Sequence, residues 1–141
     1  MPIYDSQGSY TSQPTAGYAG MIATQVPATT LTAINEDANL AGGVAVGQGT
    51  ADRGVTAGAA AFRGIVVANQ ATGTAPYGSQ AAVPVMTKGQ VVVMAKTAVT
   101  TDNAVTYDNT GAIGADLSTT ILQARFMTAA DAGSLVVVHL G

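Results

Sequence analysis

The sequence predicts an all-β protein: a β-sandwich or jelly-roll-like body over residues 41–141, preceded by an extended N-terminal arm over residues 1–40. Three observations carry this reading. From residue 41 onward, short apolar runs alternate with Gly, Asn, Asp and Pro breaks roughly 8 to 15 residues apart, the punctuation of strands joined by turns. Seventeen glycines, with many Thr and Val residues, disfavour long helices. Residues 1–20 are rich in Ser, Thr, Gln, Gly and Tyr and lack apolar periodicity, so they cannot build a core alone. The same strand spacing also suits a barrel.

The elements follow in order. Val44-Ala45-Val46 reads as a strand ending at a Gly47-Gln48-Gly49 turn. Phe62 to Asn69 reads as a strand around Ile65-Val66-Val67. Ala82 to Met86 is a short strand whose Pro84 suits an edge or a bend. A turn at Lys88-Gly89 leads into the strand Gln90 to Lys96. Ala104 to Tyr107 runs into the turn Asp108-Asn109-Thr110-Gly111. Ile121 to Met127 and Leu135 to Leu140 are the last strands. Helical character is confined to two short stretches, Ser118 to Gln123 and a single turn over Thr128 to Gly133 capped by Thr128. Val91-Val92-Val93 and Val136-Val137-Val138 are apolar on both faces, which requires cover on both sides, by a second layer or by a partner subunit.

Composition narrows the function. Only 9% of the 141 residues are charged, against about 25% in soluble domains generally. A surface built from short uncharged side chains loses little rotamer entropy on contact and carries a small desolvation cost. That suits a protein buried in a lattice; a secreted bacterial β-domain with a Thr/Gly/Ala-rich surface has the same composition. The net charge of -3 and five scattered basic residues, Arg53, Arg63, Lys88, Lys96 and Arg125, argue against nucleic acid and against a membrane surface. With no cysteine there is no disulfide and no thiolate metal site, consistent with a reducing compartment. The start Met1-Pro2-Ile3-Tyr4-Asp5 lacks the basic and apolar regions of a signal peptide, which predicts no secretion by that route, although a trimmed mature chain reads the same.

No motif points to chemistry. His139 is the single histidine and would have to serve any Ser-His-Asp triad; in the Leu135, Val137, His139 alternation it reads as a surface or interface residue. Asn35-Glu36-Asp37 holds the one adjacent carboxylate pair and reads as a solvated turn or helix start. Asp102-Asn103 and Asp108-Asn109-Thr110-Gly111 lack the acid spacing of a calcium loop and read as turns. Gly47-Gln48-Gly49 lacks the strand-loop-helix context of a dinucleotide site. No enzyme activity, metal or cofactor is expected. The candidate contact residues are Tyr4, Tyr10 and Tyr18, three of the five tyrosines, because Tyr gives contact area at low entropy cost. Arg53, read as lying in a loop, is a further candidate, for a bidentate contact.

From about Ala38 onward, a succession of pieces resembles the small cement, or decoration, proteins of tailed phages. The pieces are Leu40-Ala41-Gly42-Gly43-Val44-Ala45, Arg63-Gly64-Ile65-Val66-Val67, Val83-Pro84-Val85, Lys88-Gly89-Gln90-Val91-Val92-Val93 and Asp102-Asn103-Ala104-Val105-Thr106-Tyr107. Ala129-Ala130-Asp131-Ala132-Gly133 before Leu135-Val136-Val137-Val138 completes the pattern. The resemblance implies a β-body on the outer capsid surface, made in the host cytoplasm, forming homodimers or homotrimers that bridge neighbouring major capsid protein subunits. It transfers no catalytic residue. Other readings compete: a carbohydrate-binding β-module, for which the body offers only Tyr77 and Tyr107 as platforms; a small hydrolase built on His139; and another virion part, such as a head-fibre base or tail component.

Overall fold

The computed structural model describes residues 19–22, 28–68 and 76–141. Eleven strands run β1 Thr29–Asn35, β2 Asn39–Leu40, β3 Ala45–Gln48, β4 Gly54–Ala57, β5 Phe62–Val66, β6 Tyr77–Gly78, β7 Ala82–Met94, β8 Ala104–Tyr107, β9 Ile113–Gly114, β10 Thr119–Phe126 and β11 Leu135–Leu140. No α-helix occurs among the described residues.

The pairing departs from two facing sheets. Nine strands form one sheet in the order β1-β4-β3-β5-β7-β11-β10-β8-β9, and β7 also pairs with β1. That extra pairing closes β1, β4, β3, β5 and the first half of β7 into a ring. The second half of β7 starts a second run, β11-β10-β8-β9, which returns to β7 through a bridge between Ala95 and Ile113. The result is barrel-like, two rings sharing one strand. Closure removes the exposed strand edges that an open sheet would present.

The shared strand exists because Lys88-Gly89 is a bend within β7 rather than a turn between two strands. Val83 and Val85 line the first ring, and Met86 lies on the opposite face. Simple alternation would then send Val92 inward. Gly89 adopts φ 127, and the β1–β7 register slips between Thr29 and Thr30, opposite Lys88 and Met86. This bulge resets the phase, so Val91 and Val93 join the core of the second ring. A side chain at 89 would meet both the left-handed backbone and Ala28, whose Cβ lies 2.8 Å from the added atom.

Two cores result. Val46, Val55, Val66, Val83, Val85 and Ala33 fill the first ring, with Leu40 and Tyr77 of the β2–β6 pair packed against them. Ala45, Ile65 and Met86 face away from that interior and pack with the second ring, around Tyr107, Phe126, Ile113 and Val138. Neighbouring residues on β3 and β5 therefore serve opposite cores, as a period of two requires. This accounts for Ile65-Val66-Val67 being apolar on both faces.

Pro84 sits inside β7, not at an edge. Its carbonyl accepts from Val67 N at 3.0 Å, but it has no N–H to return. The Tyr77 hydroxyl fills that gap, donating to Val67 O at 2.7 Å.

Other sequence expectations shift. Residues 29–40, assigned to the arm, contain β1 and β2, and β1 pairs with both β4 and β7. Ser118 to Gln123 is mostly strand β10, because pairing to β11 and β8 outweighs local helix chemistry. Thr128 caps no helix: its Oγ1 accepts from Val137 N at 3.2 Å. Gly47 and Gln48 belong to β3, so the turn begins at Gly49. The turn at 108–111 forms as expected, with Gly111 N donating to Asp108 O at 3.0 Å.

Candidate interaction surface

The strands of the second ring carry an outer face that the described chain leaves partly open. Residues directly opposite on antiparallel strands share a face, so three cross-strand rows can be read from the register. Met94 pairs with Leu135. Val92 pairs with Val137, which lies opposite Met127, whose N–H donates to Val137 O at 2.8 Å. Gln90 pairs with His139, and His139 with Arg125. The face is thus apolar at one end and polar to basic at the other. Met94 is 54% exposed and Met127 39%, while Leu135 and Val137 are half-buried. Among the described residues the run Val136-Val137-Val138 is fully covered on one side only: Val136 and Val138 are core residues, and half-buried Val137 lies on the open face.

Arg53 lies in the turn between β3 and β4, exposed, with Nη2 donating to Thr32 O at 3.3 Å. It borders a shallow pocket with Ile34, Glu36, Thr50 and Gln80. Tyr4, Tyr10 and Tyr18 fall outside the described residues.

The acidic stretch at 35–37 has a structural role that the sequence reading missed. Asn35 is fully buried. Its Nδ2 donates to Tyr77 O at 3.2 Å and Gly78 O at 2.9 Å, and its Oδ1 accepts from Asp37 N at 2.8 Å. Glu36 clasps the β3–β4 turn, accepting from Thr50 N at 3.0 Å, Thr50 Oγ1 at 2.9 Å and Ala51 N at 3.0 Å. The donors of Ala51 and Thr50 hold its carboxyl below the usual value. Gly54 leaves room for the carboxylate, since a Cβ there would collide with Glu36 Oε2. Asp37 Oδ2 accepts from Ala57 N at 2.8 Å. These acids organise backbone, and no group of acids and histidines among the described residues is arranged to hold a metal ion.

Asp108 works in the same way at the turn after β8. Burial pushes its carboxyl up, but Lys96 Nζ, both donors of Thr110 and Ala112 N outweigh this and hold it well below the usual range.

The body's two tyrosines are buried. Tyr107 stacks at a tilt on Phe62, centroids 5.7 Å apart, and donates to Ala59 O at 2.7 Å. Burial pushes both phenols up. Neither ring presents a flat platform for a sugar. His139 sits with Nδ1 3.5 Å from Gln90 Nε2, beside Arg125.

With this geometry established, comparison with known proteins identifies the family. Residues 6–141 match the profile described as structural cement protein (E217 gp24/Pam3 gp6). The chain belongs to the phage structural cement protein family. Members of the cement family are structural proteins of the virion, so this chain is a virion-associated protein that associates with capsid components. No curated protein matches it. Among solved structures it is similar to the base of the head fiber gp8.5 of bacteriophage phi29, with a TM-score of 0.55 at 14% identity, covering 82% of this chain and 95% of that one. At that identity the likeness speaks to the fold, which this cement protein shares with a fibre base.

Proposed function

We propose that the protein binds the outer surface of the assembled capsid and cements neighbouring major capsid protein subunits, without catalysis and without nucleic acid, membrane or cofactor. The observation that carries the reading is the open outer face of the second ring, in a chain of the cement family. Met94 and Met127 are exposed there, and Leu135 and Val137 are only half-buried by the described chain. Apolar area of this kind gains stability when a partner removes it from water. A protein that binds only the assembled shell stabilises that state by mass action, and many copies act together. In this reading the arm residues Tyr4, Tyr10 and Tyr18 widen the footprint, Arg53 adds a contact at the β3–β4 turn, and copies associate as dimers or trimers.

The test is binding of purified protein to shells stripped of it, with unassembled capsid protein as the control. Saturable binding to shells alone, with raised heat resistance of the shells, is the expected result. Removal of residues 1–18, which keeps Gly20 and its hydrogen bonds to Val92 O and from Ala68 N, should lower occupancy while leaving the melting temperature of the free protein unchanged. Absence of binding to shells overturns the cementing reading, and full occupancy by the truncated protein overturns the role of the arm.

A second reading, a fibre base or tail component, draws on the likeness to the phi29 head fiber base. Gold-labelled antibody separates the two: label over the whole head supports cementing, and label at a few fixed points supports a fibre base.

A further inference from the structure

Strand β10 contains a distortion that resets its phase, so that Ile121 and Phe126, five residues apart, both enter the second core. Thr119 and Thr120 pair with Tyr107 and Thr106, and pairing resumes with Arg125 opposite Ala104. Ile121, Leu122, Gln123 and Ala124 therefore all stand opposite Val105. Ile121 turns into the core at 4% exposure, whereas Leu122 projects at 82%, far more than any other large apolar side chain described. Gln123 adopts φ 60, a left-handed conformation that costs a residue with a Cβ about 1 kcal/mol or more. The strain is held in place from β11, where Gly141 N donates to Gln123 O at 2.9 Å and Ala124 pairs with Leu140. Bulges that re-aim a side chain outward are common beside functional surfaces.

Basic groups surround this bulge. Arg125 is exposed and His139 lies beside it, and both line a shallow pocket of about 360 Å³ together with Gln123, Ala124 and Gly141. The stem of Lys88 packs on Gly141, its Cγ 3.2 Å from where a Cβ there would lie. Neither cation has a carboxylate in ion-pair range among the described residues, whose one ion pair is Lys96–Asp108. Two of the chain's five Lys and Arg residues and its single histidine thus gather at one corner of a protein whose net charge is -3.

We propose that the Leu122 bulge and the adjoining basic pocket are the contact site for an acidic segment of the capsid partner. Its carboxylates meet Arg125 and Lys88, and an apolar recess beside them receives Leu122. The choice of partner rests on charge complementarity, which steers encounter and fixes register, with Arg suited to bidentate carboxylate contact. Leu122 stands three residues from Arg125 on the same strand, and Arg is among the anchors that dominate many interfaces. This inference rests on the cementing reading and goes further by naming the site and the chemistry it takes.

The experiment uses full-length protein carrying Leu122→Ser, Arg125→Glu or Arg125→Gln, titrated onto stripped shells at low and moderate salt. Each variant should bind about tenfold or more weakly, Arg125→Glu the most, and Arg125→Gln should show a shallower salt dependence. Melting temperature and sedimentation of the free variants should equal those of the parent. If the parent binds and all three variants bind within about twofold of it, the site is wrong and the cementing reading stands. If the parent does not bind shells, the cementing reading fails first. If the substitutions alter sedimentation of the free protein, the bulge joins copies to one another and the assignment to the capsid is overturned.

Discussion

Tyr77 shows how much can depend on one hydroxyl. Pro84 leaves the Val67 carbonyl without its ladder donor, and Tyr77 supplies one across the end of the first ring. Its own carbonyl accepts from the buried Asn35, so the same residue ties β6 to the end of β1. Tyr77→Phe keeps the packed ring but leaves a buried acceptor unsatisfied, which costs about 1–3 kcal/mol. Equilibrium urea unfolding should show that loss with an unchanged m-value, and a Tyr77→Phe, Pro84→Ala double variant should recover part of it. At this scale the sequence was only half legible. Pro84 was visibly an anomaly within an apolar run, but its remedy comes from a residue on another strand. Glu36 and Asp37 read as a solvated turn because the backbone donors they serve, at Thr50, Ala51 and Ala57, lie on other segments.

Among the elements, β7 decides the architecture. The apolar runs on either side of Lys88-Gly89 were legible as strands, and so were β8, β11 and the turn at 108–111. The connection was not, because Lys-Gly is equally good chemistry for a tight turn and for a bulge, and only the pairing of β1 across the junction distinguishes them. β10 was blurred for a related reason: Ser118 to Gln123 has the composition of a helix start, and partners on both sides override it. The projecting Leu122 gave no signal at all, since one leucine among polar residues has no period. Arg53 was placed correctly in a loop, whereas Arg125 and His139 become neighbours only through the β10–β11 register. Gly89→Ala tests the bulge directly. The substitution meets a φ of 127 and Ala28 at 2.8 Å, so stability should fall by about 1–3 kcal/mol. Amide exchange should quicken on both halves of β7; quickening on one half alone would mean that the strand is not a single unit.

For the whole molecule, the acids that clasp turns set the response to pH. Asp108 and Glu36 both have carboxyl groups held below their ordinary values of 3.8 and 4.5. A lowered folded-state value means that the contribution is complete above those pH values and is lost on acidification through the folded-state range. The melting temperature should therefore be level from about pH 7 to pH 5 and fall below that. Asp108→Asn should be less stable at neutral pH and show a flatter decline in acid. An equally steep decline in that variant would assign the acid response to other groups.

The strand common to both rings also governs how the chain is made. As the polypeptide emerges from the ribosome, β1 to β5 have no closed ring to join until β7 follows, and the second half waits longer still, for β11. The first ring can close once the first half of β7 is out, whereas the second stays incomplete until β11 follows. Until each ring closes, its strands keep unpaired edges, and these are open to the same edges on other nascent copies. In a cell producing many copies at once, the hazard of mispairing falls before folding is complete, and it ends when the last pairing shuts the sheet.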